Sequence, residues 1–370
     1  MNDFTDPQNW ETFDTSTVDA RATSFGGAAF DGRYLYLVPF EQTLAVRFDT
    51  QQASLGSSGA WSTFDLSNVS AGATVFQGAV YDGRYVYLVP STGLAVRYDT
   101  HAGFTTAASW ETYAIGVDFI GGSFDGSHVY FSPYGGSAAQ FNTSDSFSAP
   151  ASWSTFDTSA IGGAAENYGA TFDGRYLYLA PASAGAVARY DTQIPFAQGS
   201  SWSTFDTTTL DASTSGFIGS GFDGQYVYFV PHGTTVASRY DTTFAFTSTA
   251  AWSTFGVTAI PSVGQSLALI EYAGMVFDGR YVYFVPNFGA PAVRYDTTAP
   301  FGTPGSWQAH PLVSPDAAAN EPLHFGGAFD GRYVYYVPSG SGTNSNSLLV
   351  RFDARIPSGP MPASYHGSFM

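Results

Sequence analysis

Cysteine and lysine are both absent from this sequence of 370 residues. Without cysteine, the chain has no disulfide framework, no thiolate metal site and no cysteine nucleophile. Without lysine, it can form no lysine Schiff base, and it carries no lysine of the kind that binds nucleotides in phosphate loops. These absences exclude several large classes of enzyme.

Long apolar runs are also missing. No stretch approaches the about 20 consecutive apolar residues that a membrane-spanning helix needs. The first residues, Met1-Asn2-Asp3-Phe4, have neither the basic segment nor the apolar segment of a secretory signal. We therefore expect no membrane partner and, by default, a cytoplasmic location.

Charge is scarce and mostly of one sign. Only 12% of the residues are charged, and the formal net charge is −17. An acidic surface repels nucleic acid phosphates and anionic lipid headgroups, so we expect no nucleic acid partner. Aromatic residues make up 17% of the chain, which is ample material for a packed core and argues against disorder.

What the chain does contain is a repeat, marked by three anchors that recur at intervals of roughly fifty residues. An Asp-Gly dipeptide follows an aromatic residue at Asp31, Asp82, Asp125, Asp173, Asp223, Asp278 and Asp330. The tryptophans occur once per unit, at Trp10, Trp61, Trp110, Trp153, Trp202, Trp252 and Trp307. The third anchor, Arg-Tyr-Asp or Arg-Phe-Asp, begins at Arg47, Arg97, Arg189, Arg239, Arg294 and Arg351.

Each unit predicts four short antiparallel strands. A strand of small and apolar residues precedes the Asp-Gly turn, an alternating strand ending at a proline follows it, the arginine tripeptide forms the third strand, and the tryptophan starts the fourth. Seven such units predict an all-β fold, a closed seven-bladed β-propeller in one domain over 1–353. The last unit lacks its fourth strand, so we expect the strand at Trp10 to complete it and close the ring. The tail, 354–370, lies outside the repeat.

On these anchors the chain resembles the seven-bladed propellers of the kelch and WD40 type. The resemblance is architectural, because the Gly-His and Trp-Asp pairing of WD40 repeats and the double glycine of kelch repeats are missing. Propellers carry unrelated functions, so the resemblance implies a fold and leaves the activity open.

Most repeated residues favour structural roles. We predict that the anchor arginines are mostly buried and paired with carboxylates or backbone carbonyls, because a buried charge needs a partner. In the third unit Gln140 and Asn142 replace this arginine and aspartate together, which suggests that the two charges compensate each other or share partners. The Asp-Gly turns each offer one carboxylate, too few for calcium, and the tryptophans are expected to pack between blades. We predict no metal and no cofactor.

The residues that break the repeat are the candidates for function. The position seven residues before each Asp-Gly aspartate carries an acid in three units, as Asp118, Glu166 and Glu271. The next position is Phe in four units but Asn167, Tyr272 and His324 in the others. Both positions lie on one face, which also receives Tyr134, His232, Asn287 and Phe288 from loops that follow a proline. The predicted ligand-binding set is Asp118, Glu166, Asn167, Tyr168, His232, Glu271, Tyr272, Asn287 and His324.

Three functions fit this set. The first is a non-catalytic recognition module that binds a carbohydrate or another small polar ligand at the mouth of the central channel. The second is a lyase or hydrolase whose acids are Glu166 and Glu271, with His324 or His232 as base or metal ligand. The third is a platform for a protein partner on the same face. The first is preferred because no catalytic motif is present and aromatic and polar side chains suit hydroxyl-rich ligands.

Overall fold

Seven four-stranded antiparallel sheets form the ring that the repeat predicts. The computed structural model describes residues 2–52, 54–57, 59–162, 166–261, 263, 271–312, 323–342 and 345–354. Apart from Ala354, the predicted tail lies outside these residues, as do Glu321 and most of the long loops that precede the innermost strands of blades 6 and 7.

The strands of the first four blades follow the repeat closely. In chain order they are β1 (Trp10–Asp14), which belongs to the last blade; β2 (Phe25–Phe30), β3 (Tyr34–Pro39), β4 (Leu44–Asp49) and β5 (Trp61–Asp65) in blade 1; β6 (Phe76–Tyr81), β7 (Tyr85–Pro90), β8 (Leu94–Asp99) and β9 (Trp110–Ala114) in blade 2; β10 (Phe119–Phe124), β11 (His128–Pro133), β12 (Ser137–Asn142) and β13 (Trp153–Asp157) in blade 3; and β14 (Asn167–Phe172), β15 (Tyr176–Pro181), β16 (Ala186–Asp191) and β17 (Trp202–Asp206) in blade 4.

The remaining blades have the same order. They comprise β18 (Phe217–Phe222), β19 (Tyr226–Pro231), β20 (Val236–Asp241) and β21 (Trp252–Gly256) in blade 5; β22 (Glu271–Phe277), β23 (Tyr281–Asn287), β24 (Ala292–Asp296) and β25 (Trp307–His310) in blade 6; and β26 (His324–Phe329), β27 (Tyr333–Pro338) and β28 (Leu348–Asp353) in blade 7. Short 3-10 helices in the described residues are Pro7–Asn9, Thr15–Thr17, Leu66–Asn68, Ala107–Ser109, Pro150–Ser152, Thr158–Ala160, Gly199–Ser201, Thr207–Thr209, Thr249–Ala251, Val257–Ala259 and Pro304–Ser306.

The ring is closed by the N-terminal strand, which confirms that part of the prediction. Strand β1 pairs with β28, with Trp10 opposite Phe352 and Phe13 opposite Leu349. Blade 7 thus has the order β1-β28-β27-β26, and the innermost strands of neighbouring blades contact each other all around the ring. Closure leaves no blade without two neighbours to pack against.

The invariant glycine of each innermost strand is required by the backbone. Gly169 has a φ of 110°, and the strand register shifts around it between Asn167 and Ala170. A Cβ on Gly169 would lie 3.0 Å from the Cα of Gly219 in the next blade. Two conditions therefore demand glycine here, the positive φ of the β-bulge and the close approach of the neighbouring blade.

The anchor arginines lie against aromatic rings, a contact that the sequence did not predict. The Arg239 guanidinium lies 3.9 Å from the Tyr226 ring centroid in its own blade and 4.6 Å from that of Phe301 in the next blade. Partners of the predicted kinds, carboxylates or a backbone carbonyl, are found among the described residues for three of the six, Arg97, Arg351 and Arg294. Three of the six arginines are buried, namely Arg97, Arg294 and Arg351. Cation–π contacts therefore join one blade to the next.

The aspartate of each arginine tripeptide has a different partner from the one predicted. In blade 4 Asp191 pairs with Arg175, which follows the Asp-Gly turn, at 2.8 Å. Blade 3 has Ser127 at the position of this second arginine and Asn142 at that of the aspartate, so those two charges are lost together. The compensation inferred from the sequence exists, but it involves the arginine after the Asp-Gly turn.

The tryptophans and the Asp-Gly aspartates are structural, as expected. Trp252 stacks on Phe205 of the preceding blade, with centroids 4.4 Å apart. Asp31 accepts hydrogen bonds from the backbone N–H of Arg33 and Tyr34 and from the hydroxyl of Tyr36. These contacts use the carboxylate oxygens within the turn and its own blade.

Candidate functional site

The innermost strands begin, and the second strands end, at one end of the ring, which we call the top face. The Asp-Gly turns lie at the opposite end, the bottom face. Within each blade, the residue after the proline of the second strand lies beside the residue that precedes or starts the innermost strand. These rim pairs are Ser24 and Phe40, Val75 and Ser91, Asp118 and Tyr134, Glu166 and Ala182, Gly216 and His232, Glu271 and Asn287, and Leu323 and Ser339.

All ionisable rim residues fall in four consecutive blades. Blades 1, 2 and 7 contribute only neutral rim side chains. We call the sector formed by blades 3 to 6 the rim arc, with the residues Asp118, Tyr134, Glu166, His232, Glu271 and Asn287. The ionisable side chains of the rim are therefore concentrated on one side of the channel mouth.

The first half of the rim arc is an aromatic pair flanked by acids. The rings of Tyr134 and Tyr168 are perpendicular, with an interplanar angle of 90° and centroids 5.4 Å apart. Tyr134 forms a backbone bridge to Glu166 of the next blade and donates its N–H to the carbonyl of Asp118 at 3.1 Å. Burial, together with the Tyr134 hydroxyl and the charge of Glu166, raises the pKa of Tyr168. These four residues form one contiguous cluster.

The aromatic surface in this half is accessible. Tyr134 is 50% exposed, and both Asp118 and Glu166 are exposed. The Glu166 carboxylate accepts a hydrogen bond from the hydroxyl of Ser183 at 3.1 Å. The cluster therefore presents ring faces and carboxylate oxygens to solvent.

The second half of the rim arc holds a histidine–glutamate pair. His232 Nε2 lies 3.4 Å from the Glu271 carboxylate, and its Nδ1 lies 3.1 Å from the carbonyl oxygen of Tyr272. Both contacts join blade 5 to blade 6. Asn287 pairs with Glu271 in the strand register, and the exposed Phe288 follows it with a φ of 45°.

Four predicted binding residues, Asn167, Tyr272, Asn287 and His324, are buried, which corrects their expected placement at an open mouth. Asn167, Tyr272 and His324 have exposed fractions of 0%. They occupy the position that is phenylalanine in the other blades, where the side chain packs into the layer between neighbouring blades. The sequence shows these residues to be polar, but the bulge that follows them decides which way they point.

His324 is the most unusual of the three. Its Nε2 lies 3.3 Å from the carbonyl oxygen of Leu348, and its ring meets that of Tyr336 edge-on. Its Nδ1 has no partner among the described residues. Burial lowers the pKa of His324 to about 4, so the ring is neutral at physiological pH.

The top face as a whole is acidic. Its described acids are Asp14, Asp19, Glu41, Asp65, Asp118, Asp157, Glu166, Asp206, Asp211 and Glu271, and Arg21 is its one arginine within the described ranges. Arg21 already pairs with Asp19 and Asp65. Asp14, Asp65, Asp157 and Asp206 accept the first backbone N–H groups of 3-10 helices, which accounts for them structurally.

Glu166 and Glu271 are the two acids of the enzyme hypothesis. The structure places them in blades 4 and 6, with the rim pair of blade 5 between them, and gives each its own partner, Ser183 and His232. Within the described residues, no three of the His, Asp and Glu side chains are grouped closely enough to hold a metal ion.

Tyr134 is the site residue that the predicted set left out. The sequence predicted that it lies on the top face, after Pro133, where the other units carry Phe, Ser, Ala, His or Asn. Its ring contact with Tyr168 joins two blades, so the sequence of a single repeat unit could not predict it. Its exposure distinguishes it, because Tyr134, Phe244 and Phe288 are the only exposed large hydrophobic residues in the described part of the chain.

Comparison with known proteins supports the fold. No protein family model and no curated protein sequence matches the chain. Among solved structures it is similar to virginiamycin B lyase from Staphylococcus aureus, with a TM-score of 0.64 and 12% identity over 93% of this chain and 98% of that one. A streptogramin B lyase gives a TM-score of 0.66 and 12% identity over 93% and 97% of the two chains.

A third similar structure is the WD40 repeat domain of RRP9, with a TM-score of 0.61 and 10% identity over 90% of this chain and 94% of that one. At such identities the likeness concerns the fold. The chain is a seven-bladed β-propeller. No helix in the described residues is long and apolar enough to cross a membrane.

Proposed function

We propose that this propeller is a non-catalytic recognition module that binds a small polar ligand, such as a sugar unit of a carbohydrate, at the rim arc of the top face. One observation carries the proposal: Tyr134 is half exposed, stands perpendicular to Tyr168 and is bridged through its backbone to Glu166. The exposed half of the Tyr134 ring is available to a ligand, which would bury it.

The chemistry of the cluster suits a compact ligand with polar groups. Ring faces contact the apolar surface of a sugar or a similar ligand, and the oxygens of Glu166 and Asp118 accept hydrogen bonds from its donors. The bottom face differs, because most of its carboxylates are engaged by arginines or turn N–H groups, as in Asp191 and Asp31. A ligand would therefore meet free acceptors mainly at the rim arc.

The test is a thermal-shift screen with mono- and oligosaccharides and other small polar molecules. A ligand present at 100 times its dissociation constant stabilises the folded state by about 2.7 kcal/mol. We expect at least one compound to raise the melting temperature of the wild type and to lose this effect with Tyr134→Ala. The matched control is Phe244→Ala, which removes an equally exposed ring from the bottom face.

The control should respond to the compound as the wild type does. The proposal would be abandoned if no compound stabilises the wild type, or if the stabilising compounds act equally on Tyr134→Ala.

A lyase or hydrolase is the second candidate, favoured by the contact between His232 and Glu271. A carboxylate 3.4 Å from Nε2 and a backbone carbonyl at Nδ1 hold the imidazole in a fixed orientation, as a proton-transferring histidine requires. Two of the similar structures are lyases that act, by their names, on streptogramin B antibiotics. Of the acids and bases suggested by the sequence, Glu271 and His232 are the pair in contact.

The enzyme hypothesis is tested by incubating the protein with virginiamycin B and following its loss and the appearance of a product by mass spectrometry. Turnover by the wild type that disappears with His232→Gln would favour the lyase over the recognition module. Turnover that survives this substitution would remove His232 from the mechanism.

A further inference from the structure

Tyr134, in the rim arc, and Tyr168, beside it, form a corner. Because the rings meet at 90°, with centroids 5.4 Å apart, the space beside them is bounded by the face of one ring and the face of the other. The π face of an aromatic ring is electronegative and attracts cations. Two faces at a right angle can therefore contact one compact cation from two sides.

The acids at this corner lack cationic partners in the described part of the chain. Tyr134 is bound by backbone contacts to both acidic residues, Asp118 and Glu166. Neither carboxylate forms an ion pair with a described residue, although Glu166 accepts one hydrogen bond from Ser183. Unlike Asp65 or Asp157, neither acid is the N-cap of a helical turn. Their charge is therefore available to a ligand.

The surrounding surface makes the electrostatic potential at this corner more negative. Acids predominate on the top face, and its one described arginine is already held by two aspartates. A neutral sugar gains nothing from this potential, and an anion is repelled by it. The cluster thus selects a ligand that carries positive charge.

The ring faces also decide what kind of cation fits. A hard metal ion needs several oxygen ligands, and no group of three potential metal ligands exists in the described residues. An alkylated ammonium group is weakly hydrated and presents methyl groups to aromatic faces while its charge remains near the carboxylates. It matches both features of the corner.

We propose that Tyr134, Tyr168, Glu166 and Asp118 form a receptor for an alkylated ammonium group, carried either by a free small molecule or by a methylated lysine side chain. The inference rests on the recognition function proposed above and specifies the ligand class at the same site.

The test measures binding by calorimetry to choline and to its neutral carbon isostere, in which a tert-butyl group replaces the trimethylammonium group. Choline should bind, and the isostere should bind at least about tenfold more weakly because it has the same shape without the charge. Tyr134→Ala should weaken choline binding by roughly 5- to 30-fold, whereas Tyr134→Phe, which keeps the ring face, should stay within about threefold of the wild type. Glu166→Gln, which preserves shape and the Ser183 contact, should weaken choline binding but leave binding of the isostere unchanged.

A second arm distinguishes the sources of the group. Short peptides that contain trimethyllysine or unmodified lysine are compared with choline, and the tighter of choline and the trimethyllysine peptide identifies a free or a protein-borne ligand. Phe244→Ala is the control and should bind every probe as the wild type does.

Equal binding of choline and its isostere would overturn the inference, as would choline binding that Tyr134→Ala does not affect. If a sugar from the screen binds through Tyr134 while choline and the trimethyllysine peptide do not, the ligand class is wrong and the recognition function stands. If no probe of any class binds, both proposals fail.

Discussion

The buried imidazole of His324 predicts a specific loss of stability in mild acid. In the folded protein its pKa is about 4, because burial disfavours the charged form, whereas in the unfolded chain it returns to about 6.5. Below pH 6.5 the unfolded state binds a proton that the folded state does not bind, so the free energy of unfolding falls. The loss continues until the pH reaches about 4 and then stops.

The magnitude follows from the shift. One pKa unit corresponds to about 1.4 kcal/mol, so the contribution of His324 should be about 2 kcal/mol lower at pH 5 than at pH 7.5. By pH 4 or below the loss should approach 3 kcal/mol. Aspartates that titrate at lower pH add their own effect, so the comparison needs a variant that lacks only this group.

His324→Phe is that variant, because phenylalanine occupies the equivalent position in blades 1, 2, 3 and 5. Urea unfolding is followed by circular dichroism at pH 7.5, 6, 5 and 4.5 for both proteins. We expect the variant to be at least as stable as the wild type at pH 7.5 and to lose less stability on acidification, by about 2 kcal/mol at pH 5. Tyr272→Phe, at the same position in blade 6, should show the same dependence of the free energy of unfolding on pH as the wild type. Parallel pH profiles for the wild type and His324→Phe would refute a buried neutral histidine.

Two further predictions concern the contacts between blades. Arg239→Met, which removes a guanidinium held between two rings, should lower the free energy of unfolding by about 2–4 kcal/mol, whereas Arg280→Met, at an exposed ion pair, should cost less than about 1 kcal/mol in the same urea experiment. Equal costs would show that the ring contacts contribute nothing. Gly169→Ala should cost about 1–3 kcal/mol more than Gly174→Ala, because both glycines have positive φ but only the first would place its Cβ against the neighbouring blade. A smaller cost for the first variant, measured by thermal and urea unfolding, would contradict the close approach.

The repeat made most of the fold predictable. Seven copies of one unit, each with its turn, proline and tryptophan, determine seven similar sheets, because the patterns that form a four-stranded sheet lie within about fifty consecutive residues. The incomplete last unit and the extra strand around Trp10 likewise predicted the closure between β1 and β28. These features depend on local sequence and on the rule that exposed sheet edges are covered.

Partners that come from different blades were not predictable from a unit. The sequence indicated that the anchor arginines need partners, and in the structure these partners include aromatic rings. For five of the six arginines, one of the rings belongs to the next blade. Tyr134 and Tyr168 likewise belong to different blades, so their perpendicular contact depends on how the blades are rotated against each other.

The sequence by itself determined the class of fold, the closure of the ring and the face on which the repeat breaks down. Only the tertiary structure decided which of those variable residues meet solvent. Asn167, Tyr272 and His324 share a position that precedes a glycine bulge, and the bulge interrupts the alternation of side chains along the strand. Their side chains therefore turn into the layer between blades, while Tyr134, Asp118 and Glu166 remain on the surface. Exposure depends on the backbone geometry at one glycine and on the packing of the neighbouring blade, and neither is encoded in the spacing of residues along the chain.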